Sequence, residues 1–259
     1  MFSAYAQSKN KEFRFRGKEP GRLENFSDAC FALAITLLLI SASPPNNFVQ
    51  IQRFVWELIP FTICIIFIVL IWYEHFLFYY RYGLRTPKVI VWNSLFLVIV
   101  LFYVYPLKFL ARLFLIPVSI VFGASELRAD ISSTIKGSDM AELMIIYGLG
   151  ASATFFVIMF MYRVALNDAE QLHLNEIEIF DTKASIRTNF LMAIIPLISV
   201  SMALIFRNSP TLAGTIAGFS YFLYTPVMWW NGNKMQSKRK QVLENHFSSE
   251  ASSNAGEPI

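Results

Sequence analysis

Apolar runs of about twenty residues, divided by short polar tracts, organise this chain from residue 26 to residue 230. A helix needs roughly 20 apolar residues to cross about 30 Å of hydrocarbon at 1.5 Å per residue. Six runs meet that length, at about 26–42, 54–79, 89–106, 141–162, 188–206 and 211–230. The segment 107–123, "LKFLARLFLIPVSIVFG", is also apolar, but Lys108, Arg112 and Pro117 interrupt it. It reads as an interfacial or protruding helix rather than a seventh span. The pattern predicts an all-α integral membrane protein with six transmembrane helices. The domains expected are an N-terminal segment 1–21, a transmembrane unit 22–240, and a tail 241–259 whose "SSEASSNAGEPI" lacks apolar periodicity and predicts disorder.

The basic residues give the orientation. With the N-terminus inside, sixteen Lys and Arg fall on the cytoplasmic side: Lys9, Lys11, Arg14, Arg16, Lys18, Arg22, Arg81, Arg85, Lys88, Arg163, Lys183, Arg187, Lys234, Lys238, Arg239 and Lys240. Six fall opposite: Arg53, Lys108, Arg112, Arg128, Lys136 and Arg207. This bias predicts both termini in the cytoplasm and an even number of spans. A seventh span would move "KMQSKRK" to the other side. Composition agrees, with 55% hydrophobic, 16% aromatic and 15% charged residues, against about 25% charged in soluble domains. The net charge of +4 is spread over tracts between spans rather than gathered on one segment, which excludes a nucleic-acid partner. Cys30 and Cys64 both lie in apolar runs and offer no metal spacing. No cofactor is expected.

One polar cluster stands out against this background. The first span opens as "RLENFSDACFALAITLLLI", with Ser27 and Asp28 close to its start. Both residue types also suit helix N-termini, as caps or as dipole partners. Counting along alternating spans puts His75 and Trp72 of the second helix, and Trp92 and Asn93 of the third, in the same cytoplasmic layer. Polar groups within a membrane face the bundle interior and pair with one another. Asp28 is therefore expected to join a structural network with His75, Asn93 and the guanidinium of Arg22 or a neighbour. Interfacial Trp residues also occur simply as belt anchors.

Three motifs carry a resemblance. "RLENFSD", with Arg22, Phe26, Ser27 and Asp28, is similar to the R-x-x-x-F-S-D signature that opens the first helix in the transmembrane protein 175 family of potassium channels. "WYEHF" resembles that family's Trp-x-x-His segment, and "WNSLFLVIVLFYVYP" its Trp-Asn segment ending in proline. The likeness covers about 22–106. It departs at "ISASPP", where the family commonly carries a carboxylate, and in the long insert 107–139.

The resemblance implies a homotetramer in which the first helix lines a central pore. Leu33, Thr36 and Ile40 are spaced i, i+3, i+7 and share one helix face. That spacing by itself fits an apolar stripe packed on neighbouring helices. The family likeness makes Leu33 the hydrophobic constriction, Thr36 a polar ring that holds a potassium ion transiently, and Ile40 a second apolar ring. The expected function is passive potassium-selective conduction, with potassium ions and the lipid bilayer as partners and a bacterial plasma membrane as the location. The alternative is a proton channel or proton-coupled transporter using Asp28 and His75. Both lie near the inner interface, and Glu57 is too remote to extend a relay. An enzyme is not expected: no H-E-x-x-H, Ser-Lys or Cys-His spacing appears.

Overall fold

The computed structural model describes residues 13–40, 46–113, 115–123 and 139–254. Five helices among them are long and apolar enough to cross a bilayer. These are α1 Arg22–Ile40, α2 Phe48–Tyr82, α3 Pro87–Leu113, α5 Met140–Asn167 and α6 Glu176–Ile205. Between the third and fourth of them lies the short α4 Leu115–Val121. The sixth span expected at 211–230 is not among these five, and the region is not one continuous helix. It comprises α7 Pro210–Ser220, a 3₁₀ turn Tyr221–Leu223, and α8 Tyr224–Asn254. Pro226 explains the break, because its ring crowds the carbonyl of Phe222 and it offers no N–H to the ladder.

Several expected boundaries shift outward. The second helix covers 48–82 instead of 54–79, and the fifth long helix starts at 176 instead of 188. The third does not end at Pro106 but carries through it to Leu113, so half of the segment expected to be interfacial prolongs α3. The stretch 241–254, expected to lack regular structure, continues α8, in keeping with the straight-chain helix formers Lys240, Gln241, Leu243 and Glu244. Residues 255–259, residues 41–45 of "ISASPP", and residues 114 and 124–138 of the 107–139 departure lie outside the described residues.

Small residues bring α5 and α6 together. A Cβ on Gly148 would meet a Val200 methyl at 2.4 Å and the Pro196 carbonyl oxygen at 2.8 Å, so glycine is what permits this approach. One turn on, the Ser152 hydroxyl donates to the Ala193 carbonyl at 2.9 Å. α1 packs on α2 and α3 instead, with Phe31 against Phe96 and both in the main core.

The residues before α1 are part of the fold. Residues 13–21 form no helix and cross the ends of α2 and α6. The backbone N–H groups of Arg16 and Gly17 donate to the carbonyls of Arg81 and Tyr80, each at 3.2 Å. Gly17 presses so close that a Cβ would lie 2.0 Å from the Tyr79 carbonyl oxygen. Glu178, whose side chain is fully buried, anchors this strap. Its carboxylate accepts from Arg16 Nη2 at 2.8 Å, Arg16 Nη1 at 3.0 Å, the Arg14 backbone N–H at 2.8 Å and Arg14 Nη2 at 3.2 Å. It also closes a capping box with Asn175 at the start of α6.

Candidate functional site

α1 has two faces of different character. Glu24, Ser27, Phe31, Ala34 and Leu38 are buried against the rest of the chain. Their spacing keeps them on one side, because each residue turns the helix by about 100°. The opposite side carries Arg22, Ala29, Leu33, Thr36 and Ile40, all exposed. Leu33 is 50% exposed and Ile40 70%, whereas Phe31 is 4% exposed and Leu38 1%. The three residues singled out as one face in the sequence therefore point away from the rest of the chain. The Thr36 hydroxyl donates to the Ala32 carbonyl at 2.8 Å. Its proton is thereby committed to the backbone, and the oxygen lone pairs are left facing outward.

Beneath the buried face lies a chain of hydrogen bonds through three helices. Asn93 Nδ2 donates to Ser27 Oγ at 3.0 Å, and Ser27 Oγ donates to the Leu23 carbonyl at 2.9 Å. His75 Nε2 lies 2.7 Å from Asn93 Oδ1, which makes it the donor, since the amide oxygen can only accept. The imidazole stacks on Phe96 at 5.3 Å with planes 6° apart and meets Phe31 and Tyr79. Ser27 and Asn93 are both fully buried and His75 is 3% exposed. All three side chains are buried and joined by hydrogen bonds, the condition under which buried polar groups rigidify a fold.

Asp28 is not part of that chain. It lies on the flank of α1, exposed, and its Oδ1 accepts from the Trp72 indole N–H at 2.8 Å. Trp72 in turn stacks on Phe76. The expected network is thus two separate contacts: Ser27 reaches Asn93 and His75, and Asp28 reaches Trp72. Arg22 takes no part in either and makes no ion pair among the described residues. Its neighbour Glu24 faces Arg85 instead, at 3.5 Å. Phe26 is 61% exposed, outside the network. Trp92 also points elsewhere and stacks on Phe160 of α5 at 4.7 Å. No hydrogen bond among the described residues joins Asp28 to His75, and Glu57 is engaged with Arg112 at 2.9 Å.

The anchor at Glu178 and its strap went unforeseen in the sequence. Their signals were present: "NEIE" spells a capping box at 175–178, and "FRFR" alternates aromatic and basic residues before the first helix.

This arrangement, a bundle of long apolar helices knit by buried polar contacts, is that of a multi-pass helical membrane protein, and comparison with known proteins narrows the class to ion channels. Residues 22–103 match the family described as "Endosomal/lysosomal potassium channel TMEM175". The chain is 41% identical over 235 residues to a protein of Marivirga tractuosa named "Potassium channel", covering 91% of this chain and 95% of that one. A crystal structure of a variant of the potassium channel MtTMEM175, bound to a nanobody fusion, superposes with a TM-score of 0.78 at 41% identity. That alignment covers 88% of this chain and 98% of the other. The chain belongs to the TMEM175 family of potassium channels. It is an ion-channel family, not one of enzymes.

Proposed function

We propose that four copies of this chain form a potassium-selective channel in the cell membrane, with both termini in the cytoplasm and α1 of each subunit lining a central pore. The observation that carries this reading is the exposed stripe Ala29–Leu33–Thr36–Ile40, set directly opposite the face that α1 uses to pack. Leu33 forms an apolar neck that, when narrow, sheds water and blocks ions without a moving lid. Thr36 lies about 4.5 Å higher by helix rise. Its outward lone pairs replace part of a cation's water shell. Potassium gives up water more readily than sodium, so a neck that demands partial dehydration favours it. Arg22 shares the same face of α1 at its cytoplasmic end, and Ile40 forms a second apolar ring at the other.

The Ser27–Asn93–His75 chain serves the pore indirectly by fixing the rotation of α1. The test is reconstitution into liposomes with an outward potassium gradient and a proton-sensitive dye. Potassium flux that drives proton uptake only when a protonophore is added supports the proposal. Acidification without a protonophore, seen only once a potassium ionophore supplies the potassium efflux, would instead favour a proton pathway.

A further inference from the structure

Away from the α1 stripe, a cavity of about 380 Å³ opens between α2, α5, α6 and α8. It lies beside Arg81, the start of α6 and the basic part of α8, a level that the charge bias assigns to the cytoplasmic side. Its walls are more polar than a lipid-facing seam requires. Glu74 and Arg81 line it from α2, Ser185 and Thr188 from α6, and Asn231 from α8. An Asp181–Arg239 ion pair at 2.9 Å closes its lower rim.

Three of these groups have unused bonding capacity. Asn231 is 3% exposed. Its Nδ2 donates to Thr188 at 3.1 Å, yet its Oδ1 has no hydrogen-bond partner. Arg81 donates through Nη1 to Ser185 at 3.0 Å, while its buried Nε–H has none. Glu74 makes no hydrogen bond or ion pair among the described residues, although it lies within electrostatic range of Arg81. A buried orphan acceptor and a buried orphan donor each carry a desolvation cost. Gly232 adds open space, since nothing lies within 4 Å of where its Cβ would stand.

We propose that this cavity binds the phosphoethanolamine headgroup of an inner-leaflet phospholipid. The requirements are specific. Arg81 Nε needs an anionic or strong acceptor oxygen, which a phosphate supplies. Glu74 and Asn231 Oδ1 need a cationic donor with N–H bonds, which a primary ammonium supplies. A choline headgroup has the charge but no N–H for Asn231. A glycerol headgroup leaves Glu74 facing net negative charge. The site is independent of which ion the channel passes.

The test uses the full-length protein in detergent with short-chain phosphatidylethanolamine, phosphatidylcholine and phosphatidylglycerol, and lipid retention read by native mass spectrometry. Phosphatidylethanolamine is expected to be retained about tenfold over phosphatidylcholine, the scale of one charge-assisted hydrogen bond. Glu74→Gln should erase that preference. Gly232→Leu fills the open space without touching a charged group and should abolish retention, with oligomer size and melting temperature showing that the fold is intact. Equal retention of the three lipids overturns the proposal and leaves a cavity holding water only. So does unchanged retention in both variants. Free phosphoethanolamine binding as tightly as the lipid would overturn the lipid assignment in favour of a soluble zwitterion.

Discussion

Leu33 offers the sharpest test of the pore assignment, because its position separates two outcomes. Fully burying a leucine contributes about 1.5–3 kcal/mol. Leu33 is 50% exposed within its protomer, so truncation to alanine should cost the subunit fold roughly 1 kcal/mol or less by the same scale. Leu38, on the packed face, is 1% exposed, and its truncation should cost about 2–5 kcal/mol. The effects on conduction run the other way. In the proposed tetramer, Leu33→Ala removes three carbons from each of four subunits at the neck, and each lost carbon eases wetting by up to about 0.8 kcal/mol. A net saving of only 1.4 kcal/mol raises flux about tenfold.

Potassium efflux from liposomes, normalised to reconstituted tetramer, should therefore rise about tenfold or more in Leu33→Ala by that relation. It should rise further in Leu33→Asn, where a hydrated neck no longer demands dehydration and selectivity falls. Leu38→Ala should lower thermal stability with no gain in flux per tetramer. If both Leu33 variants lose flux in proportion to lost tetramer, the pore does not run along this face and the reasoning fails.

Further outcomes follow from other contacts. Thr36→Val keeps the side-chain shape but removes the outward lone pairs, so reversal potentials in mixed gradients should show weaker discrimination of potassium from sodium while flux persists. Asn93→Ala leaves Ser27 and His75 buried without their partner, and should cost about 1–3 kcal/mol per orphaned group. Size-exclusion profiles should show lost assembly, whereas Asp28→Asn, which changes one exposed contact, should be milder. Arg16→Ala strips two hydrogen bonds from the buried Glu178 carboxylate but leaves it paired with Arg14, so it should destabilise by about 1.5–3 kcal/mol, the scale of a hydrogen bond to a charged group; the melting temperature checks it. Gly17→Ala forces the strap off α2, and limited proteolysis before residue 22 should accelerate.

The helices were legible in the sequence because lipid depth writes itself as apolar length. Their ends were not, because α2 and α6 continue as helix into water, where polar residues such as Glu176–Arg187 break the apolar run but not the hydrogen-bond ladder. Depth also placed Ser27, Asp28, His75 and Asn93 in one layer, and the structure brings three of the four together. It could not tell Ser27 from Asp28, since neighbours on a helix share a depth and differ by about 100° in direction. The same ambiguity hid the divergence of Trp92 from Asn93. Periodicity would have separated the first pair: Phe31, Ala34 and Leu38 continue the face of Ser27, not that of Asp28. The strap was missed for another reason. Its hydrogen bonds go to helix ends far away in sequence, and alternating Phe and Arg leave no apolar run to notice.

That choice between Ser27 and Asp28 bears on how a polar group so near the start of α1 earns its place. Turning α1 by one residue would put Asp28, Ala32, Ile35 and Leu39 against α2 and α3. A carboxylate would then stand buried beside Asn93, without the Trp72 indole that now donates to it. The exposed stripe would become Cys30, Ala34, Leu37 and Ser41, with leucine in place of the Thr36 hydroxyl. The Ser27–Asn93 bond therefore does more than satisfy two buried groups. It selects the one rotation in which Thr36 faces outward and Asp28 keeps both its solvent and its indole partner. Removing it should blur ion discrimination only by loosening α1, so any loss of selectivity in Asn93→Ala should accompany a fall in melting temperature rather than precede it.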